Sequence, residues 1–83
     1  MRLLLLSPEK TLFNGETDSV TLPGTKGQFT VWEHHAAMIS TLNPGEVHFR
    51  TAQGEQVFAI DSGFVEVRNN VVSVCVEKAE KIQ

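Results

Sequence analysis

Glu33, His34 and His35 stand in a row, with His48 further along, and these are the side chains that metal or acid–base chemistry would use. A zinc site needs three or four convergent ligands. Neighbouring residues on extended chain face opposite ways, so His34 and His35 do not share one ion. His48 falls on a strand face beside Glu46 and Arg50, a polar row facing water. No metal and no cofactor is expected. Ser7, Ser19, Ser40, Ser62 and Ser73 all lack the glycine-flanked elbow of a nucleophilic serine. Asp61 and Glu66 are carboxylates on or beside strands, with no supporting signal for paired acid–base work. The loop from Pro23 to Phe29 holds Gly24 and Gly27 but no Gly-Lys-Ser/Thr ending to cradle a phosphate. Enzyme activity is not expected, and recognition is the chemistry left.

Three features bear on recognition. His35 reads either as a turn histidine bonded to backbone or as an interface residue, since imidazole both packs and donates. Trp32, on the face opposite Phe29 and Val31, is either second-layer core or a contact anchor of the kind enriched at hot spots. Leu4 and Leu6 lie in a strand that is apolar on both faces, which needs cover on both sides. A partner over the outer face would supply it.

The elements that position these residues are strands. Eighty-three residues make one domain, of modest stability, roughly 4–12 kcal/mol. Cys75 is the single cysteine, which excludes an internal disulfide and fits a reducing cytosol. A net charge of −3 with scattered basic residues argues against binding a phosphate backbone. The run Leu3–Leu6 is shorter than the roughly 7–15 apolar residues of a signal-peptide core. It is also far short of the ~20 of a membrane span. It reads as a buried strand.

Period-two alternation dominates, and helical periodicity is absent. Gln53-Gly54 suggests a two-residue hairpin turn, which would set Phe49 opposite Phe58 and Val47 opposite Ile60. Asn69-Asn70 suits a type I′ turn, pairing Val67 with Val72 and Val65 with Val74 inside, and Glu66 with Ser73 outside. Phe64 and Cys75 fall on that outer face too. Pro23-Gly24 and Asn43-Pro44-Gly45 read as strand-breaking turns. The count is eight to ten short strands, and the fold class is an all-β, antiparallel two-sheet sandwich. Its core draws on Val20, Leu22, Phe29, Val31, Val47, Phe49, Phe58, Ile60, Val65, Val67, Val72 and Val74. Residues 1–77 form the sandwich, and the polar tail 78–83 reads as a frayed end or the stub of a helix.

Certain segments, in their order and spacing, carry a resemblance. They are Ser7-Pro8-Glu9-Lys10-Thr11-Leu12-Phe13-Asn14-Gly15-Glu16, Leu22-Pro23-Gly24-Thr25-Lys26-Gly27-Gln28-Phe29, His35-Ala36, Leu42-Asn43-Pro44-Gly45 and Gly63-Phe64-Val65-Glu66-Val67. From Leu3 to Glu77 the chain resembles the N-terminal β-sandwich of the epsilon subunit of F-type ATP synthases. The resemblance implies a non-catalytic part of the central stalk, packed on the gamma subunit and resting on the membrane-embedded c-ring. It implies a peripheral location at the cytoplasmic face of the bacterial inner membrane, with no nucleic-acid partner. The segment matching Leu22–Gln28, with Gly24, Thr25, Lys26, Gly27 and Gln28, is then expected to face the c-ring loops. The segment matching His35–Leu42, with His35 and Met38, is expected near gamma or the ring. Leu4, Leu6 and Trp32 are expected under gamma. Where relatives have Gly-His-Ala-Pro, this chain has His34-His35-Ala36-Ala37. Full-length relatives continue as a regulatory two-helix hairpin that binds ATP in some members. The six residues after Glu77 span at most about 20 Å extended, so this chain is expected to couple rotor parts without a helical brake and to bind no ATP. The competing reading is a stand-alone β-sandwich module for a peptide or a carbohydrate.

Overall fold

The computed structural model describes residues Met1–Gln83. It is all strand and turn: β1 Arg2–Ser7, β2 Lys10–Glu16, β3 Ser19–Gly24, β4 Gly27–Trp32, β5 Met38–Leu42, β6 Gly45–Thr51, β7 Gly54–Ile60, β8 Gly63–Arg68, β9 Val71–Val76 and β10 Ala79–Lys81. Hydrogen bonding runs β10-β7-β6-β3-β5-β8-β9-β1-β2, with β4 on β3. The two layers of the sandwich are thus one ribbon folded over where Gly24 of β3 meets Leu42 of β5. Phe13 of β2 reaches Phe49 of β6 across the core, with ring centroids 4.6 Å apart.

Alternation explains what is inside. Leu3 and Leu5 of β1, Val65 and Val67 of β8, and Val72 and Val74 of β9 are sealed from water, while their neighbours in each strand face outward. Val20, Leu22, Val31, Val47, Phe49, Phe58 and Ile60 are buried from the other layer, and Phe29 packs on the core half-buried. Met1, Leu42, Val57 and Val76 complete the buried hydrophobic set. The hairpin at Asn69 and Asn70 has both residues at positive φ, 53° and 63°, and the predicted pairs form. That is the type I′ geometry whose twist matches the strands it joins.

Four expectations are corrected. The β6–β7 tip is Ala52-Gln53, so Val47 faces Phe58 and Phe49 faces Gln56. The Thr51 hydroxyl closes the turn early, accepting from Gln53 N at 3.1 Å and lying 3.2 Å from Gly54 O. The resulting shift is two residues, which preserves the buried face. Strand β3 does not break at Pro23-Gly24; it runs through Gly24, and the tip is Thr25-Lys26. Gly27 takes the positive φ of 124°. Pro23 is tolerated because it pairs with Gln28 one step from the closing pair Gly24–Gly27, where antiparallel neighbours exchange no hydrogen bond. The sheet is not purely antiparallel, because β1 lies parallel to β9. Hairpins force opposite directions, but strands from the two ends of a chain are free to pair either way.

The polar tail is neither frayed nor helical. Its Ala79–Lys81 segment pairs with Phe58–Ile60 of β7 as an edge strand. Asp61 fixes the entry. Its carboxylate accepts from Ser62 N at 2.7 Å and Lys78 N at 3.2 Å. The Ser62 bond, with help from Lys78, holds the Asp61 carboxyl below its ordinary value of 3.8. A depressed carboxyl stabilises fully above that ordinary value, and the contribution drains as pH falls through the lower folded value. Thermal melts of Asp61→Asn should therefore lose part of the wild-type loss of stability in acid below about pH 4. Parallel acid profiles for the two proteins would refute this.

A candidate docking face

The outer face of β5-β8-β9-β1-β2 is built by the residues left over from core alternation. Register sets them in rows: Thr41, Phe64, Cys75 and Leu6 form one, and Ile39, Glu66, Ser73 and Leu4 the next. Ile39 is 71% exposed and Phe64 47%, with Leu4, Leu6 and Cys75 half-buried beside them. Leu6, Pro8, Phe64 and Cys75 line a shallow groove at the end of this face. Burial, with Glu66 nearby, pushes the Cys75 thiol up, so it stays protonated and serves as a small apolar contact.

The turn between β3 and β4 is fastened to the same face. Thr25 N donates to Thr41 O at 3.1 Å, and the Thr25 and Thr41 hydroxyls lie 2.8 Å apart. Thr41 heads the row that contains Phe64. Thr25, Lys26, Gly27 and Gln28 are exposed around this tip. Gly24 is different: it is buried, and a Cβ there would come 2.7 Å from the Phe29 ring and 2.7 Å from Gly27 O. Its missing side chain makes room inside the domain.

Trp32, His35 and Met38 gather at the far end of β4 and its loop into β5. Trp32 is 63% exposed, which excludes its reading as second-layer core. The His35 ring Nδ1 lies 2.8 Å from Ala36 O, and His35 N donates to Trp32 O at 3.2 Å; this is backbone bonding in a turn. Met38 is half-buried against the core. The loop is tied down from its start. Asn70 Nδ2 donates to Glu33 at 3.0 Å, and Asn70 Oδ1 accepts from His34 N at 2.8 Å. The Met1 amine also pairs with Glu33. That amine, and then Asn70, hold the Glu33 carboxyl below its usual range. His34 itself has φ 63°.

His48 stands between Glu46 Oε1 at 3.0 Å from Nε2 and Glu55 Oε2 at 3.3 Å from Nδ1. The two carboxylates thus address opposite ring nitrogens, which one ion cannot bridge. No group of His, Cys, Asp and Glu converges as a metal site, and no helix is long and apolar enough to cross a membrane. Ile39 and Phe64 are the face residues that the candidate set omitted. Phe64 was visible as an outward position in a well-registered hairpin. Ile39 had no such signal, because its strand is paired only with segments distant in sequence.

These features define a β-sandwich module presenting one partly apolar outer face with a turn fastened at its edge. The chain belongs to the family of ATP synthase delta/epsilon chain β-sandwich domains, whose model matches residues 1–82. It is 35% identical over 74 residues to the ATP synthase epsilon chain of Leptospira interrogans, covering 89% of this chain and 58% of that one. It is 39% identical to that of Xanthomonas euvesicatoria, covering 100% of this chain and 60% of that one. The chain thus spans about three fifths of the curated relatives it matches. Among solved structures, a chain of the Euglena gracilis mitochondrial ATP synthase superposes with a TM-score of 0.87 at 22% identity, over 95% of this chain and 51% of that chain. A chain from the central stalk and c-ring of the Tetrahymena thermophila enzyme gives 0.82 at 19%, over 95% and 64%. These two likenesses show a shared fold.

Proposed function

We propose that this chain is the sandwich of an epsilon-type central-stalk subunit. In this reading it links the gamma subunit to the c-ring and couples proton translocation to ATP synthesis without a catalytic group of its own. The observation that carries it is the apolar outer face around Phe64, Leu6, Leu4 and Ile39, with the Thr25-Lys26 tip fastened to its edge. Exposed apolar patches on small domains mark surfaces that a partner covers. The relatives' designation as epsilon chains supports this choice of partner. The Lys26 turn and Gly27 offer an exposed tip to the ring, and Leu4, Leu6 and Trp32 remain the gamma-side anchors. The site of action is the cytoplasmic face of a bacterial inner membrane, reached through these partners. All of these residues are strand or turn, and in this reading they act as a coupler.

A peptide- or carbohydrate-binding module is less well supported. Phe49 and Phe58 are buried and Phe13 and Phe29 pack against the core. The two exposed aromatics stand apart, Phe64 beside the Thr25–Thr41 contact and Trp32 at the other end of β4, so they do not form one platform for a sugar. The reading is tested with Ile39→Asp and Phe64→Asp, two changes at exposed positions. Each should weaken copurification with gamma by about 30-fold or more, while thermal melting stays near wild type. Undiminished assembly of both variants would move gamma off this face.

A further inference from the structure

Three strands bond to a single neighbour, and two of them are guarded. Strand β10 has only three residues and carries Glu80 and Lys81. Strand β2 has Lys10 and Glu16 at its ends and a register irregularity opposite Leu5 and Leu6 of β1. Charges, shortness and bulges are how proteins stop a free edge from pairing with another chain. Strand β4 has none of these. Its six residues, Gly-Gln-Phe-Thr-Val-Trp, hold no charge and no proline, and it is bonded to β3 alone.

The bonding pattern says which groups are free. The two-residue turn makes Gly24 and Gly27 a hydrogen-bonded pair, so bonding alternates along the ladder. Phe29 and Val31 then bond inward to Leu22 and Val20. Gln28, Thr30 and Trp32 turn their N–H groups away from β3, as the pairing of Gln28 with Pro23 requires. Only the Trp32 carbonyl is engaged there, by His35 N.

We propose that β4 takes an extended segment of the gamma subunit as a further strand, with the exposed Trp32 ring packing on that segment. The choice of partner rests on the function proposed above. A second copy of this chain fits less well, because six residues pairing with six bury far less than the roughly 1,200 Å² of a stable interface. A partner strand that belongs to a larger contact does not carry that burden. Its chemistry follows from the edge: uncharged where it passes Gln28 and Thr30, and basic where it passes Asp18, next to the Ser19–Trp32 pair; Glu33 is already paired with the Met1 amine.

The experiment is amide hydrogen exchange on the chain alone and assembled with gamma and the c-ring. Gln28, Thr30 and Trp32 amides should exchange freely in the chain alone and slow by about tenfold or more on assembly. Phe29 and Val31 amides should be protected in both. Thr30→Pro removes an outward N–H, which an edge strand tolerates, so the variant should fold and yet assemble about tenfold more weakly. Lysine at the same position, Thr30→Lys, guards the edge without touching the backbone and should act alike. Free exchange at these three amides within an intact assembly would overturn the proposal, as would wild-type assembly by both variants. A dimer of the chain alone that Thr30→Pro dissolves would overturn it in favour of self-pairing. Failure of the wild-type chain to assemble at all would defeat the functional reading, and the strand pairing with it.

Discussion

Phe49→Ala should remove a large share of the domain's stability. Phe49 is 2% exposed and touches both layers. Its ring centroid lies 4.6 Å from Phe13 of β2 and 6.0 Å from Phe58 of β7. Strand β2 ends the hydrogen-bonded path, so this aromatic contact fastens a free edge to the opposite layer. Truncating a buried phenylalanine costs about 3–5 kcal/mol in lost transfer free energy and cavity formation. A domain of this length has roughly 4–12 kcal/mol in total. Denaturant titration should show the midpoint falling by about a quarter of its wild-type value or more. A midpoint near wild type would mean that the two layers meet without Phe49.

Gly63→Ala should be nearly as damaging, for a different reason. Gly63 begins β8 and pairs with Leu42 on one side and Val76 on the other. A Cβ built on it would lie 2.0 Å from the Cys75 carbonyl oxygen and 3.0 Å from Val76 Cγ1. The oxygen is backbone in a bonded strand and cannot swing aside, so β8 and β9 must separate. Overpacking of this kind costs about 3 kcal/mol, which lowers the melting temperature by some 12–24 °C at this size. Because Gly63 also sits beside Phe64, docking should suffer with it. A variant that melts within a few degrees of wild type would show that the strands yield more easily than their bonding suggests.

What could be read from the sequence depended on whether the signal was local. The Asn69-Asn70 turn was readable because two adjacent residues at positive φ leave few alternatives to asparagine or glycine. The β6–β7 tip misled, because Gly54 carries the positive φ just after the turn rather than inside it. The buried face survived the error because the shift was even. The parallel β1–β9 pair had no local signal, since alternation looks the same in either direction. Neither did β10, whose polar residues join the sheet through backbone bonds and Asp61. On the docking face, Leu4 and Leu6 announced themselves through a strand apolar on both sides. Ile39 did not, because its place beside Glu66 comes from a long-range pairing.

The central claim is that the face around Phe64 and Ile39 seats this chain on a rotor. Titrating the folded chain against purified gamma subunit, alone and mounted on its c-ring, tests that claim most directly. The account predicts a one-to-one complex with a dissociation constant of about 1 μM or tighter, strengthened by the ring and weakened by Phe64→Asp. Absence of any complex at ~100 μM from a chain that melts cooperatively would contradict it.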